Sequence, residues 1–292
     1  MKILVTGGNG QLGRALKKVS AKIPDHTYIF TDIEELNISS ESDVASFFHS
    51  FNPDYCINCA GYTAVDNAEN DKEKAFLLNA DAVKILGEIT GNKNCKFIHI
   101  STDYVFSGKT WQPYKETDIP DAGSVYGKSK LAGEKHLINS KHAIIIRTSW
   151  LYSEYGSNFF KTMMKLMNEK KDIKVVFDQI GTPTYAGDLA STIMTIIEKS
   201  HKNFFKYGIY HYSNEGVTSW YDFAREIGKL MNYQGTIHPV ESIEFPRPAP
   251  RPFYSVLNKS RIKKKYQIKV PHWCESLEYC YHNYITQKDL RK

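Results

Sequence analysis

The chain has 292 residues, 41% hydrophobic and 24% charged, a globular composition with material for one large domain or two closely joined ones. Its net charge of +6 is mild and suits a polyanionic small molecule; the densest basic run, "RIKKKYQIK" (261–269), is short and lacks the aromatic interleaving of a nucleic-acid surface. No apolar stretch approaches the ~18–20 residues that cross a bilayer, so a helical membrane span is excluded.

The chain opens on "KILVT" (2–6), a strand pattern whose apolar run is too short for a secretory signal. "ILVTGGNGQLG" then sets Gly7, Gly8, Gly10 and Gly13 between that strand and a helical pattern at 10–20. Two registers fit, GxGxxG from Gly8 and GxxGxxG from Gly7. Either lets the backbone turn tightly against a pyrophosphate while amides at the helix start bind its oxygens. Asp32 follows the next strand, "TYIFT" (27–31), where a carboxylate accepts from the adenosine ribose 2′-hydroxyl and favours NAD. Arg14 can instead pair with a 2′-phosphate and favour NADP. The two signals conflict, so NADH and NADPH both stand.

Helical patterns at 41–51, 71–90 and 125–139 lead in turn to "DYCIN" (54–58), "KFIHIS" (96–101) and "AIIIRT" (143–148). Each strand is a near-continuous apolar run, as required when helices cover both faces of a sheet. Alternation at this spacing predicts βαβ units and a parallel, doubly wound, Rossmann-like α/β sheet, a dinucleotide-binding domain over residues 1–149. "CINC" puts Cys56 and Cys59 three apart in such a strand, pointing to opposite faces, with no second CxxC to complete a metal site. They read as buried and inert. Five cysteines, an odd number without a secretory signal, predict reduced thiols in the cytoplasm.

In such folds ligands bind outside the carboxyl ends of the strands. "HISTDYVFSG" puts Ser101, Thr102 and Asp103 at such an end. "SVYGKSKLAGEKHL" (124–137) begins nearby, with Tyr126 and Lys130 one helical turn apart on the same face. Hydride arriving at a carbonyl carbon leaves a developing alkoxide that needs a proton. Tyr126 can supply it, although a phenol with a pKa near 10 matches neutral pH poorly. The ammonium of Lys130 is placed to favour the phenolate and lower that pKa. Thr102 can hydrogen-bond the same oxygen.

From residue 150 the pattern is less regular. A helix at 157–170, a strand "IKVVF" (173–177), a helix at 185–199, "GIYHYS" (208–213) and a helix at 219–232 precede the proline-rich "EFPRPAPRP" (244–252) and a last helix from about 272. No low-complexity linker or internal repeat intervenes. Residues 150–292 are therefore expected to form mainly a smaller α/β substrate domain packed on the first, with a segment at about 174–200 returning to the main sheet. Prolines hold 244–252 extended and present Arg247 and Arg251 with little ordering entropy. A nucleotide diphosphate needs such donors, and Arg251 is predicted to contact it. The ten histidines form no metal-binding or triad-like grouping.

"TGGNGQLG", "STDYVF" and "YGKSK" together resemble the extended short-chain dehydrogenase/reductase superfamily. "INCAGYTAVDNAE", "RTSWLY", "NFFKTM", "DQIGTPT", "SWYDFA" and "RPFYS", in that order, narrow the resemblance to the dTDP-4-dehydrorhamnose reductase family, from residue 1 to about 280. The resemblance implies reduction of the 4-keto group of dTDP-4-dehydro-L-rhamnose by NADPH or NADH, giving dTDP-L-rhamnose for cell-surface polysaccharide. It implies Thr102, Tyr126 and Lys130 as the catalytic residues, the last two also touching the cofactor. With Gly7, it puts Gly10, Gln11 and Leu12 at the phosphates. Asn37, where relatives usually have aspartate, and Ile38 fall on the adenine side, and Gly61, Tyr62 and Thr63 along the cofactor.

By the same resemblance Thr102 and Asp103 contact the sugar, and the indole of Trp150 packs on it, excluding water near the hydride path. Arg251 and Ser255 fall on the family's "RP…S". Ala15 stands where certain relatives use glutamate to hold magnesium at a dimer interface; without that ligand no metal is expected, and monomer or homodimer both stand. Another nucleotide-sugar reductase or epimerase of the superfamily would share the same proton relay. A non-catalytic subunit like the regulatory subunit of methionine adenosyltransferase would share the cofactor turn but predicts an eroded tyrosine–lysine pair. Here both residues are intact.

Overall fold

The structure, a computed structural model, describes residues 1–202 and 205–289. The first half alternates as predicted: β1 (Lys2–Thr6), α1 (Gln11–Ser20), β2 (Thr27–Thr31), α2 (Glu41–Phe51), β3 (Tyr55–Asn58), α3 (Lys72–Phe76), α4 (Ala82–Asn92), β4 (Lys96–Thr102), α5 (Val125–Leu137) and β5 (Ala143–Thr148). There follow β6 (Leu151–Tyr152), α6 (Phe159–Glu169), β7 (Asp172–Val176), β8 (Ile180–Gly181), β9 (Thr184–Tyr185) and α7 (Ala186–Lys202). The chain ends with β10 (Gly208–His211), β11 (Thr218–Ser219), α8 (Trp220–Leu230), β12 (Thr236–Val240), α9 (Ser260–Tyr266) and α10 (Trp273–Asp289).

The main sheet runs β2-β1-β3-β4-β5-β10, and every neighbouring pair is parallel. Side chains along each strand alternate between two cores. Ile3, Val5, Ile57, Ile98 and Ile144 pack under α1 and α7. Leu4, Cys56, Phe97 and Ile145 point the other way, against α2, α4 and Leu137 of α5. Burial on both faces is why these strands are apolar at nearly every position. From β1 the chain steps to β2 on one side, then crosses to β3 on the other. That reversal opens a crevice at the carboxyl ends of the strands.

Within the segment 174–200, α7 lies against the main sheet, with Leu189, Ala190 and Ile193 in the same core as Leu12 and Leu16 of α1. Residues 174–176 belong to β7, which pairs with β12 in the second lobe. That lobe has its own core, in which Tyr152, Phe160, Met163, Phe223, Ile227 and Trp273 come together.

The helical pattern at 71–90 is interrupted by a single turn of π-helix, Leu77–Asp81, which carries the buried Asn79. Asn79 Oδ1 accepts from Tyr62 N (2.9 Å), and its Nδ2 donates to Tyr62 O (3.0 Å) and Ser129 Oγ (3.0 Å). The widened turn aims one amide inward and clamps the loop after β3 to α5. All five cysteines are free. Among the described residues no helix is long and apolar enough to cross a membrane.

Candidate active site

The carboxyl edge of the sheet opens on a cleft of about 820 Å³, the size of small-molecule and cofactor sites. The floor is the glycine turn. Gly7 has φ +67°, and a Cβ there would fall 2.6 Å from Ala60 N; one at Gly13 would fall 2.3 Å from Gly7 O. Both positions therefore require glycine. Gly10 caps α1 without a side-chain hydrogen bond, and the first turn of α1 has no acidic residue, leaving its amides for an anion. Gln11 bridges to the second lobe: its Oε1 accepts from Ser153 Oγ (2.9 Å) and Asn158 Nδ2 (2.8 Å).

Asp32 and Arg14, the conflicting cofactor signals, hold the backbone of the same residue, Asn9. Asp32 Oδ2 accepts from Asn9 N (3.1 Å), and Arg14 Nε donates to Asn9 O (2.9 Å). Asn37 Oδ1 accepts from Ser39 N (3.1 Å) and Ser39 Oγ (2.7 Å), and Ile38 beside it is buried. Asp32, Asn37 and Ile38 all line the cleft, as do Gly7, Gly10, Gln11, Leu12, Gly61 and Thr63. Tyr62 does not line it; its backbone is held by Asn79.

Thr102, Asp103, Tyr126, Lys130 and Trp150 line the same cleft. Ser124 caps α5 by accepting from Gly127 N (3.1 Å), which puts Tyr126 in the first turn. Gly127 lets α5 approach: a Cβ there would fall 2.2 Å from Tyr104 O. Thr102 Oγ1 donates to Asp103 Oδ1 (3.1 Å) and accepts from Tyr104 N (3.2 Å). The Tyr104 ring meets Tyr126 edge-on, with centroids 5.5 Å apart.

The electrostatics differ from the sequence expectation in one respect. Part of the Tyr126 ring opens on the cleft, yet burial pushes the phenol up to about 12, a hydrogen bond with Thr102 lowering it and Asp103 raising it. Lys130 is not what sets it. The ammonium instead turns under α5, donating to Ile100 O (2.6 Å) and lying 3.4 Å from His99 Nε2. Burial lowers Lys130 to about 8, opposed by Glu134 and Cys59. Burial likewise raises Asp103 to about 6.

Trp150 sits in the left-handed region (φ +47°). Its ring stacks on Trp220 at 3.6 Å and 9°, and a Cβ at Gly181 would fall 2.6 Å from its Cε2. Arg251 lies outside the cleft lining. Its Nη2 donates to Asp66 Oδ2, and its guanidinium lies 5.9 Å from the Tyr104 ring.

Sequence reasoning missed several buried residues behind the cleft lining: His99, Asn58, Asn79, and the pair Glu134–Arg147. Arg147 Nη2 donates to Glu134 Oε2 (2.6 Å), and Ser101 Oγ donates to Glu134 Oε1 (2.5 Å). An arginine closing the apolar run "AIIIRT" was the visible signal, since a buried charge needs a partner. Among the described residues no group of three or more His, Cys, Asp or Glu side chains could hold a metal ion, and the Ala15 methyl is buried beside α7.

The family profile of the RmlD substrate binding domain matches residues 1–286. The chain belongs to that family. It is 40% identical to the dTDP-4-dehydrorhamnose reductase of Aggregatibacter actinomycetemcomitans over 285 residues, 95% of this chain and 97% of that one. A solved dTDP-4-dehydrorhamnose reductase from Clostridium acetobutylicum superposes with a TM-score of 0.91 at 39% identity, covering 98% of this chain and 100% of that one. A dTDP-4-dehydrorhamnose reductase from Bacillus anthracis, solved in complex with NADP, gives a TM-score of 0.91 at 36% identity, covering 97% of this chain and 99% of that one.

Proposed function

We propose that the protein is a dTDP-4-dehydrorhamnose reductase, which reduces the 4-keto group of dTDP-4-dehydro-L-rhamnose with NADPH or NADH to give dTDP-L-rhamnose for cell-surface polysaccharide. The observation that carries this reading is the meeting of Thr102, Tyr126 and Lys130 in one cleft with the glycine turn. The family match narrows the substrate. Five free cysteines support a cytoplasmic setting, with the protein a monomer or homodimer.

The cradle fits a dinucleotide, because Gly7 and Gly13 leave the space that a Cβ would fill. On this reading Gly7, Gly10, Gln11 and Leu12 hold the pyrophosphate, and Asp32, Asn37 and Ile38 the adenosine half. Gly61, Tyr62 and Thr63 run along the remainder, Tyr62 through its backbone. Bound there, the reduced nicotinamide supplies hydride. Tyr126 keeps its proton throughout the neutral range, since its phenol is raised to about 12, and releases it to the oxygen that gains charge. Thr102 hydrogen-bonds the same oxygen and, with Asp103, orients the sugar. Trp150 walls the sugar from water, and Arg251 reaches the diphosphate. The same reading assigns residues 1–149, with a return segment at about 174–200, to cofactor binding and 150–292 mainly to the substrate; α7 and β10 lie on the cofactor side of that division.

The test is to mix the purified protein with dTDP-4-dehydro-L-rhamnose and each reduced cofactor while following nicotinamide absorbance. Oxidation of at least one is expected, and oxidation of neither removes the reading.

A further inference from the structure

Behind Lys130 lies a chain of buried polar side chains that the proton relay alone does not require. Lys130 Nζ is 3.4 Å from His99 Nε2, and Asn58 Nδ2 is 3.1 Å from His99 Nδ1. Asn58 Oδ1 is 2.6 Å from Thr6 Oγ1. His99 and Asn58 are fully enclosed, and Thr6 nearly so. These residues come from three adjacent strands: Thr6 pairs with Asn58 across β1 and β3, and Asn58 with His99 across β3 and β4. The network ends on Thr6 and Lys130, both of which line the cleft.

An ammonium N–H donated to His99 would set its polarity. An ammonium only donates, so His99 Nε2 accepts, and a neutral imidazole then carries its proton on Nδ1. That N–H faces the Asn58 amide and needs an oxygen there. The structure has Asn58 Nδ2 on His99 and Asn58 Oδ1 accepting from Thr6 Oγ1, so this tautomer requires the amide turned end for end, a choice that hydrogen bonding decides because amide O and N are alike in shape. Burial and the neighbouring Lys130 both hold His99 well below the usual histidine range, in keeping with a neutral ring.

We propose that His99 is a positioning residue for Lys130: a neutral imidazole in the Nδ1–H tautomer, locked by Asn58 and Thr6, accepts from the buried ammonium through Nε2. Ile100 O accepts a hydrogen bond from a second ammonium N–H, which leaves the third N–H for the cleft. Other titratable groups facing Lys130 are Glu134 on its own helix and Cys59 beyond β3. Glu134 is already paired with Arg147. The proposal rests on the reductase reading for its consequence, but its geometry is testable without turnover.

The experiment is ¹⁵N NMR of histidine-labelled full-length protein at pH 7, with a titration of the Lys130 side chain in wild type, His99→Leu and His99→Gln. The His99 ring is expected to read as neutral with the proton on Nδ1. Removing the acceptor in His99→Leu withdraws a hydrogen bond from the charged form, so the Lys130 midpoint is expected to fall by about one pH unit. His99→Gln, whose amide oxygen can accept, is expected to restore it. The alkaline limb of kcat should move with the midpoint. An Nε2–H tautomer or an imidazolium overturns the proposal, as does a Lys130 midpoint unmoved in His99→Leu or equally lowered in His99→Gln. If His99→Leu does not fold, the wild-type tautomer and His99→Gln decide. A confirmed network in a protein that oxidises neither cofactor would count against the functional reading alone.

Discussion

Arg251 donates from Nη2 to Asp66 Oδ2 at 2.8 Å, tying the proline-rich segment to the loop after β3. Ala249 N, in the same segment, donates to Asp66 Oδ1 at 3.3 Å. Arg251 Nη1 is buried with no partner among the described residues, so one arm of the fork is engaged and one is left over. A diphosphate reaching that arm would gain a charge-assisted contact. Arg251→Ala is expected to raise KM for the nucleotide sugar about tenfold, with little change in kcat. Steady-state kinetics check this, and an unchanged KM removes Arg251 from diphosphate binding.

Tyr126→Phe deletes one oxygen and leaves the ring against Tyr104. A fall in kcat of about a hundredfold or more is expected, as for loss of a general acid, with cofactor affinity nearly kept. Single-turnover rates and a cofactor titration separate the two.

Asp103 titrates in a window of its own. Its carboxyl is raised from an unfolded value near 3.8 to about 6, mainly by burial. Between those values the folded state holds the proton that the unfolded state releases, so stability falls as pH rises from about 4 to 6. Asp103→Asn is expected to be more stable than wild type at pH 7.5, with the difference vanishing near pH 4, while sugar binding is lost. Urea unfolding at the two pH values tests the sign.

Glu134 and Arg147 are both buried, and each is the other's counter-charge. Arg147→Met leaves a carboxylate enclosed without its cation and is expected to cost about 3–5 kcal/mol in urea unfolding. Glu134→Leu combined with Arg147→Met is expected to recover much of that loss. If the double variant is no more stable than Arg147→Met alone, the ion pair is not the cause.

Gly13→Ala places a methyl against the Gly7 carbonyl, whereas Gly123→Ala meets only Pro250 Cγ at 3.8 Å. The first is expected to abolish NADPH binding and the second to leave it intact, by calorimetry.

The fold was legible because strands covered on both faces cannot hide their apolar runs; β1 to β5 stand where "KILVT", "TYIFT", "DYCIN", "KFIHIS" and "AIIIRT" predict. The pairing of "GIYHYS" with β5 was not, because nothing local in residues 208–211 specifies a partner some sixty positions earlier. At the site, glycines and the Tyr126/Lys130 spacing carry chemistry in their own pattern. The direction taken by the Lys130 ammonium is set by β4, and helix periodicity holds no trace of it. His99 was readable in principle. It is a polar residue sharing a strand face with Ser101, inside a run that is otherwise apolar.

The Trp150–Trp220 stack joins the wall of the cleft to the first residue of α8 in the second lobe. With the two rings parallel at 3.6 Å, removing either indole strips the other of its stacking partner, so a change at the start of α8 reaches the cleft wall directly.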